Sequence, residues 1–229
     1  MEDWGLVIPA YNEEKRIRVV LNTYIHQMPQ VKEFIVVCDG TDATADIVKE
    51  MRKIDGRIEL LEFTQRLGKG GGVKKGLLAC RTDRVGFVDC DLAVKPDQLI
   101  KMFYALDNYS AVIASRRTDG AQVKVHQPMI RQLLSKGFNW VMVRLLFGLN
   151  ISDTQCGAKV FHDKVVRYFL PQMKSTGFDF DVELLWRIQR MYYLIYEYPV
   201  VWEHQEDSKF QLKYIINMFV SLLWVRLHG

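Results

Sequence analysis

The chemistry that the sequence suggests most directly is that of a divalent cation held by two carboxylates. Asp89 and Asp91 are one residue apart and follow the apolar run 85–88. Mg²⁺ and Mn²⁺ bind one or two carboxylates together with the phosphates of a substrate. The alternative is that both aspartates are solvated in a surface loop, so the metal-site interpretation depends on a buried strand that ends here. We predict that both aspartates bind the metal and serve catalysis.

A second group of polar residues follows the apolar run 34–38. Gly40 allows a tight turn, and Asp42 has a simple structural role as the cap of the next helix. Asp39 has no equally simple role. A carboxylate at this place can accept hydrogen bonds from a nucleobase or a ribose, which is what we expect of it.

A glycine-rich, basic segment covers residues 66–72. Backbone N–H groups and Lys69 at the start of a helix favour an anion. The spacing matches neither the phosphate loop GxxxxGK[ST] nor the dinucleotide fingerprint GxGxxG. The segment is therefore either an anion-binding turn, with Lys69 on the phosphates of a donor, or a flexible connection.

Positive charge is concentrated in the second half of the chain. Residues 1–115 have 16 basic and 17 acidic side chains, whereas residues 116–229 have 15 and 10. Arg117 comes just after a predicted strand, and Arg131 and Ser135 share one face of a predicted helix. These groups suit a phosphate with an apolar tail, and not nucleic acid; a solvated basic face is the alternative.

The elements that must position these residues alternate between strands and helices. Such alternation predicts one α/β domain over residues 1–229, with a mostly parallel, doubly wound sheet whose strand ends hold the ligands. We predict strands at Gly5–Ile8, Phe34–Cys38, Ile58–Phe63, Val85–Asp89, Ala111–Ser115, 157–162 and 194–201, and helices at 13–27, 42–54, 69–80, 96–106, 129–148, 180–192 and 210–228.

Two of the predicted helices, 129–148 and 210–228, are rich in large apolar residues but interrupted by polar and basic ones. This pattern favours a helix that lies in a membrane surface over one that crosses it. Four cysteines without metal-ligand spacing argue against zinc and disulfides and fit a reducing compartment. No signal-peptide pattern opens the sequence. We expect a protein at the cytoplasmic face of a membrane.

The ordered set of motifs resembles family 2 glycosyltransferases, and more narrowly the dolichyl-phosphate sugar synthases, closer to the glucose than to the mannose branch. The motifs are VIPAYNEE, CDGTDAT, RLGKGGGVKKG, VDCDLA, ASRR, DTQCGAKVF, FDFDVELL and a late Ser-Lys. The resemblance implies a GT-A fold, Mg²⁺ or Mn²⁺, a donor such as UDP-glucose or GDP-mannose, and a dolichyl or polyprenyl phosphate acceptor.

The resemblance also implies roles for individual residues. The nucleoside pocket matches Pro9, Tyr11, Glu13, Val37 and Asp39. The segment that meets the metal and the donor phosphates matches Asp89, Cys90 and Asp91, and the acceptor phosphate set includes Arg117 and Lys209. Departures from the family pattern stand at Cys38, Cys90, Ala93, where a third metal ligand is often found, and Glu203.

The chemistry of the acceptor sets the expected mechanism. A phosphate monoester is largely dianionic at neutral pH and needs no general base to attack an anomeric carbon, unlike a sugar hydroxyl. Single displacement inverts the anomeric centre. Asp153 is the reserve catalytic carboxylate, with a role in orienting an arginine or the sugar. The alternatives are another family 2 transferase, a sugar-phosphate nucleotidyltransferase and a non-enzymatic membrane-binding module.

Overall fold

The computed structural model of the protein describes residues 2–124, 144–203 and 213–228, which form a mixed sheet flanked by helices. The strands are β1 Trp4–Ala10, β2 Val31–Cys38, β3 Ile58–Glu62, β4 Arg84–Val88, β5 Ala111–Ser115, β6 Gln122–Val123, β7 Ala158–His162, β8 Ile195–Pro199 and β9 Val201–Trp202. The helices are α1 Ile17–Gln27, α2 Thr44–Arg52, α3 Gly68–Ala79, α4 Pro96–Ala105, α5 Asp163–Phe169, α6 Phe180–Arg190 and α7 Lys213–His228, with a 3₁₀ turn at Leu170–Gln172.

Seven strands form the main sheet in the order β3-β2-β1-β4-β7-β5-β8. All neighbouring pairs are parallel except those of β7, which runs antiparallel to both β4 and β5. The predicted mostly parallel sheet is confirmed, but its antiparallel member was not predicted. Because β7 starts at the edge where β4 ends, the loop that precedes β7 borders the predicted metal site.

The central strands β1, β2, β4, β5 and β7 are largely buried on both faces, which explains their near-continuous apolar runs, whereas the edge strands β3 and β8 are partly exposed. In β1, Leu6 and Ile8 pack on one side of the sheet with α1 and α4, and Val7 packs on the other side with α3. A third cluster joins α7 to α6 through Leu222 and Val225. Helix α7 is therefore an integral layer of the fold with one face toward the protein.

Two of the predicted boundaries that differ from the structure have a clear cause in the backbone hydrogen bonds. Helix α1 begins at Ile17 instead of residue 13, because the Glu13 carbonyl closes a turn by accepting from the N–H groups of Arg16 and Ile17. The predicted strand 194–201 is divided: β8 pairs with β5 only as far as Pro199, and β9 pairs with β6 in a separate two-stranded sheet.

The two predicted interface helices have different outcomes. Most of 129–148 lies outside the described residues; Arg144–Leu146 make a single wide helical turn, and Phe147 is buried against Trp186. The prediction of 210–228 is confirmed over the described part, as α7. Within the part of the chain that the structure describes, no helix has the length and apolarity needed to cross a bilayer.

Candidate active site

Three neighbouring parallel strands bring the predicted donor residues to one edge of the sheet. β1 lies between β2 and β4, and their carboxyl ends lead into Tyr11, Asp39 and Asp89 respectively. Residues that are far apart in the chain meet here because parallel strands end at the same edge.

Asp39 is engaged by its own protein. Arg66 Nη1 donates to both Asp39 carboxylate oxygens at 2.6 Å, and the Leu67 N–H donates to one of them at 2.8 Å. The Arg66 guanidinium lies 3.5 Å from the centre of the Tyr11 ring. Asp39 therefore does have a structural role that the sequence did not indicate. It holds the Arg66 guanidinium over the Tyr11 ring at this edge of the sheet.

The remaining residues of the predicted nucleoside pocket differ in accessibility. Glu13 pairs with Arg16 at 2.6 Å and is largely buried. Val37 pairs with Pro9 across β1 and β2, and its side chain is 1% exposed beneath α3. The Val37 side chain thus offers no surface to a ligand, because α3 covers this face of the sheet.

The aspartate pair lies just past β4, as predicted. Asp89 and Asp91 are partly exposed, whereas Cys90 between them is turned into the core at 5% exposure. The Ala93 N–H donates to Asp91 Oδ1 at 2.9 Å. Burial, followed by the negative charge of Asp89, raises the pKa of Asp91 to about 6. The two carboxylates are therefore held close enough to repel each other.

Such a pair fits a divalent cation, which removes that repulsion and prefers hard oxygen ligands. Residues 2–124, 144–203 and 213–228 contain no cluster of three or more acidic, histidine or cysteine side chains suited to a metal. Ala93, at the position of the third ligand in many family members, has no donor atom. Among the residues that the structure describes, this site offers a metal two carboxylates, and water or donor phosphates would complete the ligand set.

Lys69 reaches the aspartate pair from the start of α3. Its Nζ lies 2.8 Å from Asp89 Oδ1 and 2.9 Å from Oδ2. Burial alone would lower the pKa of Lys69, but the charges of Asp89 and Asp181 outweigh it and raise that pKa. The ammonium is therefore a permanent positive charge at the predicted donor site.

Two of the backbone N–H groups in the glycine-rich start of α3 are bound by other parts of the protein. The Gly70 N–H donates to the Gly177 carbonyl at 3.1 Å, and the Gly71 N–H donates to the Thr176 carbonyl at 3.0 Å. A Cβ on Gly70 would lie 2.5 Å from Phe180 Cβ. Gly70 thus serves close packing against α6, and the N–H groups of Gly70 and Gly71 are bound within the protein, whereas Lys69 stays a predicted donor-phosphate ligand.

Gly157 determines where the Asp89 side chain can lie. The Asp89 N–H donates to the Gly157 carbonyl at 2.8 Å. A Cβ on Gly157 would lie 2.0 Å from Asp89 Oδ2, so any side chain here would displace the carboxylate. Sequence reasoning missed this function; the signal available was a glycine in the DTQCG motif next to a strand.

The edge beyond β5 is dominated by a buried ion pair. Arg116 donates to Asp153 through Nε at 2.7 Å, Nη2 at 2.8 Å and the backbone N–H at 3.0 Å, and Asp153 is 1% exposed. Burial alone would raise the pKa of Asp153, but Arg116 lowers it. Arg116 occupies both Asp153 oxygens, so the geometry favours the arginine-orienting role predicted for this carboxylate over direct contact with a substrate.

Arg117 lies next to this pair at the surface, where its Nη1 donates to the Ser152 carbonyl at 3.1 Å. It is the described member of the predicted acceptor set. Arg131, Ser135 and Lys209 lie outside the described residues.

Two buried acids, Asp179 and Asp181, lie at the start of α6, where an acidic side chain can cap a helix. Asp179 accepts from Ser221 Oγ at 2.6 Å, which ties α6 to α7, and makes no side-chain cap. Asp181 pairs at 2.6 Å with Lys159, a fully buried lysine in β7 that sequence reasoning missed. The signals were a lysine inside an apolar strand and paired acids in FDFDVE. Each of these buried polar side chains is explained by a partner that is distant in the sequence.

The sequence model of glycosyl transferase family 2 matches residues 6–169. The chain belongs to glycosyl transferase family 2. A dolichyl-phosphate beta-glucosyltransferase of Trichomonas vaginalis is 32% identical over 97% of this chain and 70% of its own length. The dolichyl-phosphate beta-glucosyltransferase of Saccharomyces cerevisiae is 30% identical over 97% of this chain and 74% of its own length. The predicted family is thus confirmed, and the protein is a glycosyltransferase.

Solved structures confirm the fold of this glycosyltransferase as GT-A. Glucosyl-3-phosphoglycerate synthase from Mycobacterium tuberculosis, solved with Mn²⁺, UDP and glucosyl-3-phosphoglycerate, superimposes with a TM-score of 0.71. The match covers 98% of this chain and 80% of that chain at 19% identity. The same synthase has been solved with Mn²⁺ and UDP-glucose, again with a TM-score of 0.71.

Proposed function

We propose that this glycosyltransferase moves glucose from a nucleotide-diphosphate sugar, UDP-glucose in preference to GDP-mannose, to dolichyl phosphate or another polyprenyl phosphate. The observation that carries the proposal is the meeting of a nucleoside-facing Tyr11–Arg66 surface, an aspartate pair with Lys69, and Arg117 along one edge of the sheet. The names of the relatives at 30–32% identity support the choice of glucose and of the lipid acceptor.

On the donor side, the protein has to neutralise the charge that develops on the departing diphosphate. Asp89 and Asp91 would hold Mg²⁺ or Mn²⁺, which supplies positive charge to that diphosphate when bound. Lys69 adds a protein cation at the same place. Tyr11 and Arg66 offer a flat surface for the nucleoside, with Asp39 holding Arg66.

On the acceptor side, the lipid phosphate is itself the nucleophile. One of its oxygens forms a bond to the anomeric carbon as the bond from that carbon to the diphosphate breaks, so the nucleoside diphosphate leaves and the configuration inverts. Arg117 draws the phosphate toward the donor and offsets the repulsion between two anionic substrates. The occupied oxygens of Asp153 support a reaction without a protein base at that position.

The apolar tail of the acceptor requires the active site to reach a membrane surface. Helix α7 has an outer row of large apolar side chains that the fold leaves exposed: Phe219 at 42%, Val220 at 60%, Trp224 at 48% and Leu227 at 78%. Arg226 on the same helix can pair with lipid head groups. We propose that this row contacts the membrane and that the protein docks on the cytoplasmic face of that membrane.

The direct test is a donor screen with purified protein, Mn²⁺ or Mg²⁺ and a short polyprenyl phosphate, with mass detection of the glycolipid. We expect a glucosyl-lipid from UDP-glucose in excess of any mannosyl-lipid from GDP-mannose. Asp107→Asn is the matched control for the site aspartates, because Asp107 is exposed and follows α4 at the opposite edge of the sheet.

Two outcomes would contradict the proposal. Preferred use of GDP-mannose would reject glucose as the donated sugar. Release of pyrophosphate from UTP and a sugar phosphate, without any glycolipid, would favour a nucleotidyltransferase.

Membrane contact is tested separately by flotation with anionic liposomes. We expect the protein to float at low salt, and Trp224→Ala combined with Leu227→Ala to reduce the floated fraction severalfold. Ile54→Ala is the control, since Ile54 is 84% exposed but follows α2, away from α7. A folded wild-type protein that stays at the bottom of the gradient would exclude direct docking.

A further inference from the structure

Four charged side chains of alternating sign lead from the core to the donor site, where a fifth, Asp91, adds a second negative charge. Lys159 and Asp181 form the inner pair at 2.6 Å, with exposures of 0% and 3%. Lys69 and Asp89 form the outer pair at 2.8 Å, and Asp91 follows Asp89 at the site itself. The charge of Asp181 also acts on Lys69, so the two pairs are neighbours in one network.

The outer pair uses both oxygens of a predicted metal ligand. Lys69 Nζ lies within 2.9 Å of each Asp89 oxygen, and Gly157 limits the carboxylate from the other side. A divalent cation that binds Asp89 therefore has to share this carboxylate with the ammonium or displace it.

We propose that Lys69 is an internal counter-ion that competes with the divalent cation for Asp89 and is transferred to the diphosphate when the donor arrives. The proposal rests on the proposed function, since it gives Asp89 to the metal and Lys69 to the donor. It adds a regulation of the same site: the metal is held weakly until the diphosphate provides a second anion for the lysine.

The charge count explains why the site with both the cation and the donor bound is favoured over the site with the cation alone. Asp89, Asp91 and Asp181 bring three negative charges against two from Lys69 and Lys159. A divalent cation without the donor changes the net charge of these groups from −1 to +1, and the two negative charges of the donor's diphosphate return it to −1. Asp181 stays paired with Lys159 in the core, and its charge also acts on Lys69.

The test uses Mn²⁺ titration of the full chain, read by the paramagnetic resonance signal of free Mn²⁺ without any donor. We expect Lys69→Met to bind Mn²⁺ about tenfold more tightly than the wild type, because a competing charge a few ångströms away has been removed. With Mn²⁺ saturating, the same variant should bind UDP about tenfold more weakly in calorimetry. These opposite signs distinguish competition from general damage to the site.

Two further variants complete the design. Lys69→Arg keeps the charge and should leave Mn²⁺ affinity within about threefold of the wild type. Lys75→Met, on the exposed face of the same helix, controls for loss of a surface charge and should change neither measurement.

The proposal is overturned if folded Lys69→Met binds Mn²⁺ with unchanged or lower affinity, since the lysine then supports the site without competing for it. Failure of the proposed function is a different result: the wild type would form no glucosyl-lipid although the Mn²⁺ affinities still separate Lys69→Met from Lys69→Arg. Both Mn²⁺ measurements are independent of turnover, so each conclusion can be reached alone.

Discussion

Two carboxylate–cation pairs lie on the same edge of the sheet, and they differ in how much water reaches them. In the Arg116–Asp153 pair the carboxylate is 1% exposed and receives three hydrogen bonds from one arginine. In the Lys69–Asp89 pair the side chains are 15% and 32% exposed, and the lysine contacts both carboxylate oxygens through one nitrogen atom. The Asp153 carboxylate is closed to a ligand, whereas the Asp89 carboxylate is open enough to exchange partners.

The difference teaches which carboxylate supports the fold and which is available for chemistry. A buried charge that loses its partner is very costly, so the sealed pair has to persist through the reaction. An exposed ion pair is weak and easily broken, which suits a group that must accept a metal or release a lysine. Four substitutions test this contrast.

The largest effect is expected for Asp153→Asn. The amide cannot neutralise Arg116, which then remains largely buried without a counter-charge. We expect the free energy of unfolding to fall by about 3 kcal/mol, measured by urea denaturation at pH 7.5. A loss of transfer activity at unchanged stability would return Asp153 to the list of catalytic groups.

Asp89→Asn should show the reverse pattern. Its pair with Lys69 is partly exposed, so stability should change by less than about 1 kcal/mol. Transfer should fall about 100-fold, because the metal loses a carboxylate ligand and the charge on the departing diphosphate is then neutralised less well. Steady-state rates and urea denaturation on the same preparations provide the comparison, and full turnover with metal still required would remove Asp89 from the site.

Asp91→Asn should stabilise the protein in a pH-dependent way while transfer is lost. The pKa of Asp91 in the folded protein is about 6, against an ordinary aspartate value of 3.8. Ionising this aspartate therefore costs folding free energy as the pH rises through 6, and asparagine has no such cost. We expect the variant to be more stable by about 2 kcal/mol at pH 8, with no difference at pH 3. Equal stability at pH 8 would contradict the raised pKa of Asp91, which comes from burial first and from the charge of Asp89 second.

The smallest effect is expected for Arg117→Ala, which leaves the buried Arg116 intact. The apparent KM for the lipid phosphate should rise about tenfold, a loss of about 1.4 kcal/mol, with the KM for the donor unchanged. Arg81→Ala, an exposed arginine beyond α3, is the control. If UDP binding is lost and the lipid is spared, Arg117 belongs to the donor side.

Much of the donor half could be predicted because its signals are local. A buried parallel strand announces itself as an apolar run, and the polar residues that follow it lie at a known edge, so Asp39 and Asp89 could be placed from the sequence. The start of α3 misled in part. Its glycines predicted a free anion site, but nothing near them in the sequence indicated that the carbonyls of Thr176 and Gly177 bind their N–H groups.

The sequence by itself determined the alternation of strands and helices, the family, and the residue types able to hold a metal and a diphosphate. Only the tertiary structure decided which charges are free to act. Asp153 is sealed by Arg116, Lys69 is drawn to Asp89, and Lys159 is paired with Asp181 because an antiparallel β7 and the packing of α6 on α3 bring these residues together. Partners separated by 20 to 37 positions leave no local pattern, and their burial, which sets the strength of each pair, exists only once the chain has folded.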